Sequence, residues 1–372
     1  MNFYRDTFAQ VDLTQLARNI TYLKQKANKH LIAVIKANGY GHGAYYLAKK
    51  AMEAGAYYLA VSSLDEAITL RTEGIADPIL ILGYTRLKDV GLALFYNLTL
   101  TVTSLDWCKE LSKMIPEGKL KVHVKIDTGM NRLGMRTVEE VQEGIALLRE
   151  KGLFVEGIYT HYACSDETDD RMTTLQYERF RAIMSQIKEE IPMVHASNSD
   201  ASVHFAEDIT NCVRVGIAMV GISTYETELK PILSLYTRLT NVKQIQAGEG
   251  ISYSQSYHAK EAEWIGTIPI GYADGWIRQN QGRYAYLNGQ PCEFVGKICM
   301  DQCMIRLPRE YPVDTLVELI GEHVSMTQMA QELHTIPYEV MCLLTDRVPR
   351  VYLEQGQVVA IDNPRMRYHH SK

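Results

Sequence analysis

The sequence has no run of about 18 apolar residues, so no segment of it reads as a membrane-spanning helix. Its first residues, MNFYRDTFAQVDL, lack the charged-then-apolar pattern of a secretory signal, and the chain is expected to be cytoplasmic. Charge of one sign is also missing. Lys and Arg number 39 against 44 Asp and Glu, and the net charge of −5 offers no basic footprint for nucleic acid. The seven cysteines are an odd number. Cys299 and Cys303 lie close together in CMDQC, but no second such pair completes a zinc site. The cysteines are therefore expected to be reduced packing residues, with no metal bound. What is present is ordinary for a globular chain: 46% apolar and 22% charged residues among 372, enough for one large or two medium domains with a sizeable core.

Short β-rich runs recur over the first 225 or so residues. They are LIAVIK (31–36), YLAVSS (58–63), ILILGY (79–84), LTLTVTS (98–104), KVHVKID (121–127), FVEGIYTHYA (154–163), MVHASNS (193–199) and CVRVGIAMVGIS (212–223). Helical patterns lie between most of them. GAYYLAKKAMEAG is apolar on one face and ends in glycine. SSLDEAITLRTEG opens with Ser63 and Glu66 at the spacing of a capping box, and TVEEVQEGIALLREKG repeats the form with Thr137 and Glu140. Most of the strands are almost continuously apolar, as parallel strands covered on both faces must be. Eight strand–helix units in about 200 residues predict an α/β fold, a (β/α)8 barrel. After Lys230–Pro231 the texture changes to strand-like pieces broken by Gly, Asn and Pro, with short helices near 325–333 and 337–344. The expected organisation is a barrel over 1–230 and a smaller, mostly antiparallel β domain over 231–372, with the tail RMRYHHSK frayed.

Each predicted barrel strand ends on something polar or unusual: Lys36, Ser62, Tyr84, Ser104, Asp127, His161, then Asn198 and Ser199. The last run carries Arg214 and Gly216. In such barrels the C-terminal rim is the active face. On the fifth strand His123, Lys125 and Asp127 alternate and should share one face. If that face points inward, Lys125 must be paired, or altered so that it carries no positive charge.

The stretch LIAVIKANGYGHGA asks for its own explanation, because an apolar run climbs to a lysine and then meets three glycines within five positions. GYGHGA matches G-x-G-x-x-A, the dinucleotide fingerprint. A dinucleotide fold also needs an acid at the end of its second strand, and YLAVSS ends in serines. A metal hydrolase would need more histidines than the solitary His161 at the strand ends. A barrel that binds a cofactor without turnover would leave the extra β domain idle. Pyridoxal 5'-phosphate answers more of the pattern. Lys36 would carry it as a Schiff base, the phosphate would lie near strands seven and eight by Ser199 and Gly216, and Arg214 would be left for the ring.

The motifs AVIKANGYGHG, KIDTGMNRLG, THYACSDE, HASNS, RVGIAMVGI, GISYS, PIGYADGW, GKICMDQCM and PYEV together resemble the alanine racemase family, in the family's order, from Tyr4 to about Tyr352. The resemblance implies a barrel followed by a β domain. It also implies interconversion of L- and D-alanine for bacterial peptidoglycan, and a homodimer whose sites are shared between subunits. It implies roles for particular residues. Lys36 is the cofactor lysine and the base on one face of the substrate. Tyr253 is the base on the other face, reaching in from the second subunit. Tyr40, Ser199, Gly216, Ile217 and Tyr338 match contacts to the cofactor phosphate. Arg132 matches the residue that bonds the ring hydroxyl and the substrate carboxylate, and Met300 a pocket residue. His161 and Arg214 would help to favour the tyrosine anion, with Arg214 facing the ring nitrogen. Lys125 matches a lysine that is often carbamylated. Asp301 resembles a further pocket residue, and Tyr272 and Asp166 match the access corridor. Two departures stand out: Lys297 where many relatives have arginine, and Pro337 where asparagine is more usual. A serine racemase or one of broader specificity is the alternative. Relatives acting on serine tend to carry a smaller polar residue at the position of Tyr338, so the tyrosine favours alanine.

Overall fold

A computed structural model describes residues 3–114 and 120–369. By its contacts the chain divides into two units. One is Leu16–Gly39 with Ala44–Lys230. The other is Met1–Gln15, Tyr40–Gly43 and Pro231–Lys372.

The first unit is the barrel expected from the sequence. After an N-terminal strand β1 (Phe8–Asp12), which belongs to the other unit, come β2 (His30–Val34), β3 (Tyr58–Val61), β4 (Ile79–Ile81), β5 (Thr99–Val102), β6 (Lys121–Lys125), β7 (Phe154–Tyr159), β8 (Met193–His195) and β9 (Cys212–Val215). All neighbours from β2 to β9 run parallel, and β9 pairs back with β2 to close the ring. The cause is visible strand by strand. YLAV, ILI and TLTV are buried at every position, and each fully buried Leu, Ile or Val side chain contributes roughly 1.5–3 kcal/mol. Helices follow the strands on the outside, and two of them start as read. Thr137 and Glu140 form a reciprocal capping box at Val138–Glu150. At Leu64–Thr72 only half of the box forms. The Ser63 hydroxyl accepts from the Glu66 N–H, but the Glu66 carboxylate is used elsewhere.

The second unit is built on a ten-stranded sheet. Its order is Asn241–Ile245, Glu263–Ile268, Cys303–Leu307, Gln290–Val295, Tyr284–Leu287, Leu316–Ile320, Leu233–Arg238, β1, Arg350–Glu354, Gln357–Asp362. All pairs are antiparallel except β1 with Arg350–Glu354. Strand β1 is not among the strands that the sequence pattern suggests. FAQVD is short and half-buried in alternation, and its burial rests on partners more than 200 residues away. Short helices stand at Met326–Glu332 and Pro337–Leu343, and Pro337 occupies the first turn of the latter. The C-terminal stretch expected to fray holds a 3-10 segment, Pro364–His369, and residues 370–372 lie outside the described residues.

The loop Tyr40–Gly43 explains its own glycines. A Cβ on Gly41 would fall onto the Met341 carbonyl, and one on Gly43 onto the Tyr352 hydroxyl. Arg350 donates to the Gly41 carbonyl at 3.0 Å, and Tyr352 to the His42 carbonyl at 3.0 Å. The close backbone approach that glycine permits is made here to the protein's own chain.

Candidate active site

Lys36 lies two residues past the end of β2, after Ile35, half-buried at the C-terminal end of the barrel. The chain behind it winds left-handed. Ala37 (φ 52, ψ 52), Asn38 (φ 53, ψ 46) and Gly39 (φ 62, ψ 42) lie in that region, and Tyr40 follows with φ 53. Left-handed backbone costs about 1–2 kcal/mol for each residue that carries a Cβ. Three ties hold the turn: Gly39 N–H to the Ile35 carbonyl (2.9 Å), Ala44 N–H to the Asn38 side-chain oxygen (2.9 Å), and Ala37 N–H to Glu66 Oε1 (2.6 Å).

Arg214, on β9, is buried, and its guanidinium is held from several sides. Nη2 donates to the Thr160 and Ala196 carbonyls, both at 2.9 Å, and to His161 Nδ1 at 3.0 Å. Nη1 donates to His195 Nδ1 at 2.8 Å. Because a guanidinium only donates, it fixes the tautomers of the histidines around it. His195 must accept at Nδ1 and so carries its proton on Nε2, which reaches His123 Nδ1 at 2.9 Å. His123 then carries its proton on Nε2, 3.5 Å from Glu156 Oε2 and too distant for a full hydrogen bond. Burial, more than any neighbouring charge, pushes the pKa of both histidines below the ordinary value, so both rings are neutral. His161 likewise accepts at Nδ1. Its pKa is depressed first by burial, then by the charges of Arg214, Arg132, Lys125 and Lys36. Tyr159 stacks on His195 at 4.7 Å between ring centres, and its ring lies 5.1 Å from the Arg214 guanidinium.

The other expected barrel residues gather at the same rim. Lys125, the last residue of β6, is buried. Its Nζ donates to the Ile126 carbonyl at 2.6 Å, and burial, followed by Arg214, lowers its pKa to about 7. Asp127 lies beyond the end of that strand and does not continue the face of His123 and Lys125. It accepts from Gly129 and Asn131 N–H groups and so builds the loop that carries Arg132, which is exposed. Ser199, 4% exposed, accepts from the N–H groups of Gly216 (3.0 Å) and Ala218 (3.3 Å). With two donors on its oxygen, the Ser199 hydroxyl proton is what it offers to a ligand. Gly216 and Ile217 are buried beside it. Asp166 is exposed on the loop after β7.

In the sheet unit, Tyr40 is buried and stands edge-on to Tyr338, ring centres 5.9 Å apart. Tyr253 is 72% exposed, in a kinked turn where Ser252, Ser254 and Gln255 all have positive φ. Tyr253, Met300 and Asp301 line one open groove of about 840 Å³. Asp301 accepts from Arg347 at 2.6 Å. Tyr272 is tied to that edge by its N–H on the Cys299 carbonyl at 3.0 Å. Sequence reasoning did not find Glu66, Glu156 or His195 as members of these networks. Glu156 did leave a trace, as a charge in the middle of an apolar strand.

The chain is thus a closed parallel (β/α)8 barrel with an added β unit, and the barrel carries a lysine on a left-handed turn at its rim and a buried arginine on its last strand. The comparisons give the family. The model for the alanine racemase N-terminal domain matches residues 11–224, and that for the alanine racemase C-terminal domain matches 232–352. Alanine racemase 1 of Bacillus subtilis is 42% identical over 376 residues, covering 97% of each chain. The alanine racemase of Geobacillus stearothermophilus is 44% identical over 379 residues, also covering 97% of each. A solved alanine racemase from Bacillus anthracis with bound L-Ala-P superposes with a TM-score of 0.92 at 39% identity, covering 98% of this chain and 99% of that one. This chain belongs to the alanine racemase family, a family of isomerases.

Proposed function

We propose that the chain interconverts L-alanine and D-alanine with pyridoxal 5'-phosphate held on Lys36. The observation that carries this reading is the rim of the barrel. Lys36, Arg132 and Arg214 all press on His161, and that excess of positive charge suits a ligand bearing a phosphate and a carboxylate. The residues present fit the cofactor. Ser199, with Gly216 and Ile217, would hold the phosphate together with Tyr40 and Tyr338, and Arg132 would hold the ring hydroxyl and the substrate carboxylate. Arg214 would meet the ring nitrogen with donors only, which keeps that nitrogen unprotonated. When bound, the cofactor would supply an electron sink for the substrate's α-carbon. The remaining chemistry belongs to the chain. Lys36 Nζ removes or returns a proton on one face, and the Tyr253 hydroxyl of a second copy serves the opposite face. Each face then keeps its own acid–base group, and the substrate need not turn over.

Several further assignments go with this reading. Most of the cofactor-holding residues lie within 1–230, and residues 231–372 supply Tyr338 for the phosphate together with Tyr253, Met300, Asp301 and Tyr272. Asp166 and Tyr272 line the access corridor. A homodimer in the cytoplasm, feeding peptidoglycan synthesis, is the fitting context, and no described helix is long and apolar enough to cross a membrane. Lys125 becomes a carbamate. With a pKa near 7 a good share of its amine is neutral at pH 7, and the nitrogen lone pair can bond the carbon of CO2 with release of one proton. The product is an anion suited to Arg132. The paired rings of Tyr40 and Tyr338 favour a methyl-sized substrate over serine.

The test is to incubate the protein and cofactor with each alanine enantiomer and follow the D/L ratio. In parallel, the loaded protein is reduced with borohydride and its peptides are mapped. Convergence to a ratio near one, with the tag on Lys36, supports the reading. A tag on another lysine removes the role of Lys36, and faster turnover of serine than of alanine removes the specificity.

A further inference from the structure

The carboxylate of Glu66 reaches beyond its own helix start, to the backbone of Ala37. It sits in the first turn of the helix Leu64–Thr72, where a capping-box glutamate would bond the N–H of Ser63. Instead Oε2 accepts from Ser62, from its N–H at 2.8 Å and its hydroxyl at 2.9 Å, and Oε1 accepts from the N–H of Ala37 at 2.6 Å. Ala37 is the residue after Lys36 and the first of the left-handed turn. The strands that carry the two ends of this link are hydrogen-bonded neighbours, with Val34 opposite Ala60 and the Ile35 N–H on the Ala60 carbonyl at 2.8 Å. Glu66 is thus a side-chain clamp from the end of β3 onto the backbone that sets the direction of Lys36.

We propose that Glu66 is the positioning residue for Lys36. It holds the left-handed turn closed, so that the Lys36 amine is presented at one place on the barrel rim. The physical need is specific. Ala37 and Asn38 both carry a Cβ, and both lie where such residues are rare. A turn of that kind persists only if its surroundings over-determine it. The Ala37 N–H has its bond to a charged acceptor, which is the stronger type. The Asn38 side chain secures the exit of the turn at Ala44, and Glu66 secures its start. Without Glu66, Ala37 can relax to right-handed or extended backbone, and the Lys36 stem then points elsewhere. The inference rests on the reading of Lys36 as the cofactor lysine.

The test uses the full-length chain stripped of cofactor, as wild type, Glu66→Gln and Glu66→Ala. Pyridoxamine phosphate probes the phosphate site alone, because it cannot bond covalently to a lysine. Pyridoxal phosphate at saturation probes covalent capture by Lys36, read as the rate of the absorbance change and checked by borohydride tagging. Positioning predicts that pyridoxamine phosphate binds all three proteins within about twofold, while capture slows by about tenfold in Glu66→Ala, the effect of one charge-assisted hydrogen bond. Glu66→Gln keeps one acceptor oxygen for the Ala37 N–H and falls between. Capture at the wild-type rate in Glu66→Ala overturns the proposal. So does weakened binding of both probes with a lowered melting temperature, which would make Glu66 a support of the fold alone. If the wild type itself takes no tag on Lys36, the functional reading has failed, and that result is distinct from either outcome for Glu66.

Discussion

Glu156 lies inside the barrel on β7, nearly buried, and it is the one anion in a network that is otherwise neutral or cationic. Oε1 accepts from Lys121 Nζ at 2.7 Å, Oε2 accepts from the Tyr58 hydroxyl at 2.7 Å, and His123 Nε2 stands 3.5 Å away. Burial alone would raise its pKa. The contacts to His123, Lys121 and Tyr58 outweigh burial and hold it at about 2, against the ordinary 4.5. The folded state therefore binds fewer protons than the unfolded state between those two values, and folding gains from the charged form. That contribution is complete above pH 4.5 and is lost as the pH falls toward 2. At about 1.4 kcal/mol per pH unit, it amounts to about 3 kcal/mol at neutrality. Glu156→Gln keeps the shape and removes the charge, so it should destabilise the protein by about that amount at pH 7. The gap from wild type should narrow as the pH is lowered from 4.5 toward 3, because wild type then loses what the variant never had. Lys121 is 40% exposed along its side chain, so it can turn to solvent in the variant and should not add a second penalty. The assay is urea unfolding of both proteins at pH 7, 5, 4 and 3, read as the difference in stability. A difference that stays constant between pH 7 and 3 would refute the assignment of the low pKa to Glu156.

Replacing Gly43 with alanine puts a Cβ at φ 99 on the hydroxyl of Tyr352, and should lower stability by about 2 kcal/mol or more. A melting temperature unchanged within a degree or so would contradict the packing of the Tyr40–Gly43 loop. Arg214→Glu places an anion among His161, His195 and the Thr160 and Ala196 carbonyls, and should allow the cofactor ring nitrogen to gain a proton. Slower racemisation with relatively more transamination is expected, and wild-type ratios of the two reactions would remove the electrostatic role. Lys36→Ala and Tyr253→Phe should each lose most activity. A refolded one-to-one mixture should regain about a quarter of it, because random pairing makes about half the dimers mixed and each mixed dimer has one intact site. No gain over the separate mutants, with refolded wild type active, would mean that each site is built within one chain.

The barrel was legible in the sequence because its strands are buried on both faces. Apolar runs such as YLAV and ILI declare themselves without reference to partners, and the capping residues at Ser63 and Thr137 mark where helices begin. Lys36 and Ser199 could be singled out for the same reason, since a polar residue at the end of such a run stands out, and Arg214 stands out as a charge inside an apolar run. The second unit was less legible. Strand β1 is half-buried and depends on Leu233–Arg238 and Arg350–Glu354, so nothing local in FAQVD identifies it. The glycines of GYGHG could be read as a need for close approach, but their neighbours Met341 and Tyr352 are known only once the chain is folded. The tautomers of His195 and His123 were likewise undetermined until Arg214 was placed beside them, because a histidine's proton is assigned by its partner. The capping-box reading of Glu66 was sound locally and incomplete. Its position in the helix was set by the sequence, but the choice of Ala37 as its partner was made by the parallel pairing of β2 with β3, which brings residues 29 positions apart in the chain to within a hydrogen bond of one another.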